Sequence, residues 1–302
     1  MPIHLLVTGA TGQVGNEIAR RAPTNPEAAD AIRLTCLNRQ EADLSKPREL
    51  RNTIELHRPD GVINAAAYTA VDRAEEEEDL ATIINGEAPG LIAETCQDLG
   101  IPMLHISTDY VFDGGKPTPY LETDPIAPLG AYGRSKAAGE KAVRDACAEH
   151  LILRTAWVYS AHGNNFVKTM LRVGADRDEL RVVADQHGIP TAAGDIAETC
   201  IDAMRQVLTY KRRDIWGTYH YTGAEPTTWH GFADAIFELA EPRWQRRPLV
   251  APITTLDYPT PAARPANSVL DCSLIADRLG LNPKPWRKSL ATVVNQLLDQ
   301  AA

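Results

Sequence analysis

Tyr132 and Lys136 stand four residues apart in Tyr-Gly-Arg-Ser-Lys, the spacing that sets two side chains on one face of a helix. A free phenol titrates near pH ~10, too high to trade protons readily at neutral pH. An ammonium beside it favours the phenolate and lowers that value. Tyr132 is therefore a candidate to give a proton to a carbonyl oxygen as hydride arrives at carbon. Lys136 would tune it and hydrogen-bond a nicotinamide ribose. The alternative for so short a pattern is a pair on a helix surface. Thr108 lies in Ser107-Thr108-Asp109-Tyr110 at the end of a strand-like run. Open α/β sheets bind ligands at the carboxyl ends of their strands, so its hydroxyl could hold a carbonyl near Tyr132. Otherwise it caps the strand end.

Such chemistry needs a nucleotide cofactor, and the N-terminal end carries a cradle for one. Gly9, Gly12 and Gly15 form G-x-x-G-x-x-G after the first strand-like run and at the start of a helical pattern. Glycines let the backbone turn tightly and approach a pyrophosphate, and a helix N-terminus offers it free N–H groups. An ordinary glycine-rich turn is the competing reading. The second strand ends in Leu37-Asn38-Arg39. An acid there would hold the ribose 2′-hydroxyl of NAD. None is present, so Arg39 either meets a 2′-phosphate, favouring NADPH over NADH, or is a plain surface side chain. Asn64-Ala65-Ala66-Ala67 ends the third strand; its small side chains suit a cofactor lying against the backbone, and equally suit tight helix–strand packing.

The elements that position these residues follow from hydrophobic periodicity. Strands are expected at 3–8, 32–37, 61–66, 103–107 and 151–159, with helices at 14–21, 48–57, 88–99 and 135–149 between them. This alternation predicts an α/β chain with a doubly wound parallel sheet of Rossmann type. The second half is more mixed, with helices at 165–173, 195–208, 229–239 and 290–298, a strand at 218–221, and proline-rich loops from 242 to 285. Residues 1–160 and 193–225 are assigned to the dinucleotide-binding domain. Residues 161–192 and 226–302 are assigned to a smaller α/β substrate-binding lobe. The five acids 75–79 read as a solvated helix face.

The chain has 302 residues and a net charge of −9, which excludes a basic nucleic-acid footprint and discourages binding to anionic membranes. An anionic substrate must then meet a local basic pocket. No apolar run reaches the roughly 18 residues of a membrane span, and no secretion signal is evident at the N-terminus. The five cysteines are scattered, without a CxxC pair, which fits a reduced, cytoplasmic setting.

The sequence closely resembles the extended short-chain dehydrogenase/reductase superfamily and, within it, the dTDP-4-dehydrorhamnose reductases. The stretches that carry the likeness are GATGQVG (9–15), NAAAYTAVDRAE (64–75), STDYVFDG (107–114), YGRSKAAGE (132–140), RTAWVYS (154–160), GNNFVKTML (163–171), DQHGIPT (185–191), TTWH (227–230) and RPANSVLD (264–271). The resemblance implies reduction of a sugar-nucleotide ketone. It implies catalysis by Thr108, Tyr132 and Lys136, and cofactor contacts from Gly12, Gln13, Val14, Asp43, Leu44, Ala67 and Thr69. The glycine and strand-end arguments add Gly9, Ala65 and Ala66. It places Thr108, Asp109 and Trp157 against the sugar nucleotide. Lys168, Arg172 and Arg264 are candidates for its pyrophosphate. It further implies a homodimer bridged by Mg²⁺, with Glu17 and Asp195 as candidate ligands. Dehydratases of the superfamily carry an acid after Thr-Asp; here that residue is Tyr110, which favours reduction without loss of water. A sugar-nucleotide epimerase or dehydratase, or a non-catalytic regulatory subunit of methionine adenosyltransferase, are the rival readings.

Overall fold

The computed structural model describes residues 3–21 and 32–301. Strand β1 (Ile3–Thr8) leads through the glycine turn into helix α1 (Gln13–Arg20), then β2 (Ile32–Leu37), α2 (Pro47–His57) and β3 (Gly61–Asn64). A short helix α3 (Glu78–Thr82) runs through a π-helical segment, Ile83–Glu87, into α4 (Ala88–Leu99). Next come β4 (Met103–Thr108), α5 (Ala131–Ala146), β5 (His150–Thr155), β6 (Val158–Tyr159) and α6 (Phe166–Gly174). The chain continues through β7 (Glu179–Val183), β8 (His187–Gly188), β9 (Thr191–Ala192), α7 (Ala193–Leu208), β10 (Gly217–His220) and β11 (Thr227–Thr228). It ends in α8 (Trp229–Trp244), β12 (Leu249–Ile253), α9 (Ser273–Leu279) and α10 (Trp286–Ala301).

Six strands form one sheet in the order β10-β5-β4-β3-β1-β2, and every neighbouring pair is parallel. Parallel strands need both faces covered. Leu5 and Val7 face the apolar sides of α1 and α7, while Leu6, Val62 and Met103 face α2, α4 and α5. This is the expected doubly wound sheet. The strand order reverses between β1 and β3, and such a switch point opens a crevice at the carboxyl ends.

The second core, in the lobe, gathers Val167, Leu180, Phe232, Ile236, Phe237, Val250, Trp286 and Leu290 from α6, β7, α8, β12 and α10. Helix α9, inside the stretch expected to be lobe, buries Ile275 and Leu279 against the sheet core instead. The fifth strand is shorter than its sequence suggests. Trp157 takes a left-handed conformation, φ 48°, which a pleated strand cannot continue through. Beyond it β6 leaves the sheet and pairs with β9.

Candidate active site

Gly9 turns the chain at φ +80°, and a Cβ there would lie 2.7 Å from the Ala66 nitrogen. A Cβ on Gly15 would lie 2.1 Å from the Gly9 carbonyl oxygen. Helix α1 thus presses on the turn, and the turn on the end of β3, as only glycines allow. Gly12 caps α1 in extended conformation without a side-chain hydrogen bond, so the first-turn N–H groups, including those of Gln13 and Val14, open toward the crevice. The Val14 side chain itself joins the core below. Gln13 accepts hydrogen bonds from Ser160 (3.2 Å) and Asn165 (3.0 Å), tying the turn to the loop that starts the lobe. This cradle fits a dinucleotide pyrophosphate. Ala65, Ala66 and Ala67 are half-buried beside it and Thr69 is exposed. Leu44 is buried in the sheet core. Arg39 is exposed and lies 3.6 Å from Asp43; both line a recess of about 270 Å³ together with Lys46.

Helix α5 carries Tyr132 and Lys136, the candidate catalytic pair. Its Ala-, Lys- and Arg-rich sequence favours helix, and it buries Tyr132, Ser135, Lys136, Gly139, Glu140 and Val143 along one face. It begins at Ala131, four residues earlier than expected, because Glu75 accepts the Ala131 N–H at 2.9 Å. The acidic run is therefore not simply solvated: Glu77 accepts from Tyr68 at 2.6 Å, and Glu78 holds Arg134 with two bonds of 2.8 and 2.9 Å. Tyr132 packs edge-on against Tyr110, ring centres 5.4 Å apart.

The expected lowering of the Tyr132 pKa is not found. Burial pushes it up to about 12, opposed only by a hydrogen-bond contribution from Thr108. The reason is the direction of Lys136. Its Nζ donates to the Ile106 carbonyl at 2.6 Å and lies 3.3 Å from His105 Nε2. Burial brings Lys136 itself down to about 8, with the Glu140 charge opposing.

Thr108 ends β4 as expected; its hydroxyl donates to Asp109 Oδ1 at 2.9 Å and accepts from the Tyr110 N–H at 3.2 Å. Burial raises the Asp109 carboxyl to about 6, against the Thr108 hydrogen bond. Its other oxygen, Oδ2, is buried without a partner. Buried polar atoms are rarely left unpaired. Trp157 stacks on Trp229 at 3.6 Å and 10°, so one face of its ring is already covered.

Arg264 is committed elsewhere: its guanidinium makes two 2.8 Å bonds to Asp72 and one of 3.0 Å to the Ala262 carbonyl. Lys168 and Arg172 lie one turn apart on α6. The magnesium expectation finds no support in the surroundings of Glu17 and Asp195. Glu17 pairs with Arg21 at 2.7 Å, and Asp195 with Lys284 at 3.3 Å and Ser289 at 2.6 Å. These acids are already neutralised by cations, and among the described residues no group of three or more His, Cys, Asp or Glu could hold a metal. No helix among them is long and apolar enough to cross a membrane.

His105, Asn64, Glu75, Asp72 and Trp229 are site or support residues that motif reading missed as individuals. Each meets its partner across elements far apart in the chain; strand register could have revealed the Asn64–His105 pair alone.

A family model described as the RmlD substrate binding domain matches residues 3–299. A dTDP-4-dehydrorhamnose reductase from Burkholderia thailandensis is 44% identical over 304 residues, covering 99% of this chain and 100% of the relative. A solved dTDP-4-dehydrorhamnose reductase from Clostridium acetobutylicum superposes with a TM-score of 0.88 at 36% identity, covering 98% of this chain and 100% of that one. Another, from Bacillus anthracis in complex with NADP, gives 0.88 at 34% identity with the same coverage. The match over nearly the whole chain shows that it belongs to the dTDP-4-dehydrorhamnose reductase (RmlD) family.

Proposed function

We propose that this protein reduces the C4 ketone of dTDP-4-dehydro-6-deoxy-L-mannose to dTDP-L-rhamnose, using NADPH. The reading is carried by Thr108, which ends β4 and reaches Tyr132, and by Lys136 on the same helix as Tyr132, which bonds the β4 backbone at Ile106, in the sheet whose β1 ends in the glycine turn. When bound, the cofactor supplies hydride. The protein's own residues supply the rest. Gly9, Gly12, Gln13 and Val14 receive the pyrophosphate, with Ala65, Ala66, Ala67 and Thr69 along the cofactor's side. Arg39 and Lys46 are placed to meet a 2′-phosphate, and the relative solved with NADP supports that choice over NADH. Thr108 aims the ketone, and Asp109 takes a sugar hydroxyl. Tyr132, a neutral phenol at every physiological pH, donates its proton to the nascent alkoxide. Lys136 hydrogen-bonds the ribose. Arg264 must exchange or share Asp72 to reach a pyrophosphate, whereas Lys168 and Arg172 need no such exchange.

Tyr110, half-buried and edge-on to Tyr132, offers no acid or base for eliminating water, which favours net reduction over dehydration. The test is NADPH oxidation with a panel of 4-keto sugar nucleotides. Stoichiometric oxidation with the dTDP-linked ketone is expected, while isomerisation without net oxidation would indicate an epimerase. Tyr132→Phe should retain NADPH binding and lose about 10²–10⁴-fold in kcat. Unchanged turnover in that variant would remove the phenol from the mechanism.

A further inference from the structure

A row of polar side chains crosses the apolar sheet beneath Lys136. Thr8, Asn64 and His105 are register partners on three adjacent strands, β1, β3 and β4. All three are buried, His105 and Asn64 completely. Lys136 of α5 closes the row, with 1% of its surface exposed. A fully buried histidine and lysine in contact are costly unless their hydrogen bonds are matched, so the proton on each nitrogen can be assigned from its neighbours.

The assignment starts at Asn64. Its Oδ1 accepts the Ala66 N–H at 3.2 Å and the Thr8 hydroxyl at 2.7 Å. A backbone N–H can only donate, so the amide cannot be flipped without setting two donors against each other. Its Nδ2 therefore donates to His105 Nδ1, 3.1 Å away. A neutral imidazole that accepts at Nδ1 carries its proton on Nε2. That N–H points at Lys136 Nζ across 3.3 Å. An ammonium has three donors and no acceptor and would face it donor to donor. A free amine accepts the Nε2–H while still donating to the Ile106 carbonyl.

We propose that His105 is a positioning residue that holds Lys136 as a free amine in the ligand-free site, so that cofactor binding is coupled to uptake of one proton by Lys136. The inference rests on the reading of Lys136 as the ribose-binding lysine. The amine takes a proton from solvent and becomes an ammonium; its donors turn to the hydroxyl oxygens of the ribose and away from His105. The His105 Nε2–H gives up its bond to Nζ, and no covalent bond other than the new N–H changes. The charged groups around Lys136 do not supply an alternative partner. Glu140, on its own helix, is engaged by Arg154 of β5 at 2.7 and 2.8 Å, by Arg144, and by the Ser107 hydroxyl of β4. Asp109, after β4, is engaged by Thr108. Tyr132 is a neutral phenol. Burial drives His105 well below the usual imidazole range, with Lys136 adding to the shift, which agrees with an uncharged ring.

Two measurements test this on the intact protein. Nitrogen NMR of the ligand-free, ¹⁵N-histidine-labelled protein, with the His105 ring assigned by its loss in His105→Gln, should show that ring protonated at Nε2 and not titrating from pH 8 down to about 5. A His105 ring protonated at Nδ1, or one that charges in that range, overturns the proposal. Calorimetry of NADPH binding in buffers of different ionisation enthalpy should show net proton uptake near pH 8. His105→Gln can turn a carbonyl oxygen to where the wild type has an N–H donor, and so accommodates the ammonium. In this variant the uptake should vanish and the alkaline fall in NADPH affinity should move up by about one pH unit, or tenfold at the higher pH. His105→Asn, which keeps only the acceptor toward Asn64, separates loss of the N–H from loss of the strand contact and should also lose the uptake. Wild-type uptake persisting in both variants overturns the inference. A wild type that binds NADPH with proton uptake but reduces no sugar nucleotide would instead fail the function proposed above and leave this coupling standing.

Discussion

Asp109 shows how one residue sets substrate binding against stability. Its carboxyl is buried, one oxygen is unpartnered, and burial raises it to about 6. An unfolded aspartate titrates near ~3.9. Below both values the group is protonated in either state and carries no penalty. Between them the folded protein binds more protons, so stability falls as pH rises, and above about 6 the whole penalty is present. Asp109→Asn should therefore stabilise the protein at pH 8 by about 1–3 kcal/mol, give no gain near pH 4, and weaken sugar-nucleotide binding. Thermal melts of the two proteins across pH check the sign; a gain that is equal at both ends would mean that the carboxylate is not the cause. Asp109 itself was legible, as were Thr108, Tyr132 and Lys136, because each sits in a short contiguous pattern. His105 was not. It is 41 residues from Asn64 and 31 from Lys136, and a lone histidine in an apolar strand has no local signature of what it faces. The direction of Lys136 was hidden for the same reason, which is why an i, i+4 spacing suggested an acidified phenol where the fold provides a neutral one.

At the level of elements, α5 is the part on which the chemistry hangs, and its start is set from outside. Gly130 enters the helix extended and offers no side-chain cap. Glu75, 56 residues earlier in the chain, accepts the Ala131 N–H instead, beside the favourable end of the helix dipole. Tyr132 lies in that first turn. Glu75→Ala should cost about 0.5–2 kcal/mol, as loss of a helix cap does, and lower kcat by loosening the phenol, with NADPH affinity unchanged because the cradle lies on α1. Glu75→Gln keeps an acceptor oxygen and should recover most of the turnover. Equal losses in the two variants would assign the effect to charge instead of capping. Helix periodicity located α5, α7 and α8 and the start of α8, but not the first turn of α5, whose cap comes from a distant loop. It also gave no sign of the break at Trp157, where a left-handed residue ends β5 and sends the chain into the lobe.

Over the whole molecule, the sheet layer was readable from strand–helix alternation because buried parallel strands are continuous apolar runs. The lobe was less so: β8, β9 and β11 are two residues long, too short for any period to register, and its helices alone hold the pattern. The two cores are nonetheless tied together. Asn165, at the start of the lobe, donates to Gln13 of the glycine turn at 3.0 Å, and Arg264 holds Asp72, 192 residues earlier in the chain, at 2.8 Å. Phe232 sits at the centre of the lobe, fully buried among Tyr159, Phe166, Trp229 and Trp286. Truncating such a ring costs about 3–5 kcal/mol through lost contacts and the cavity left behind. If the chain crossings and these bonds couple the cores, Phe232→Ala should lower a single melting transition, seen alike by tryptophan fluorescence and by far-ultraviolet dichroism. NADPH should then raise that one transition, since binding to the sheet layer stabilises whatever unfolds with it. Two separated transitions, only the upper responding to NADPH, would mean that the lobe melts alone and that these bonds do not join the cores thermodynamically.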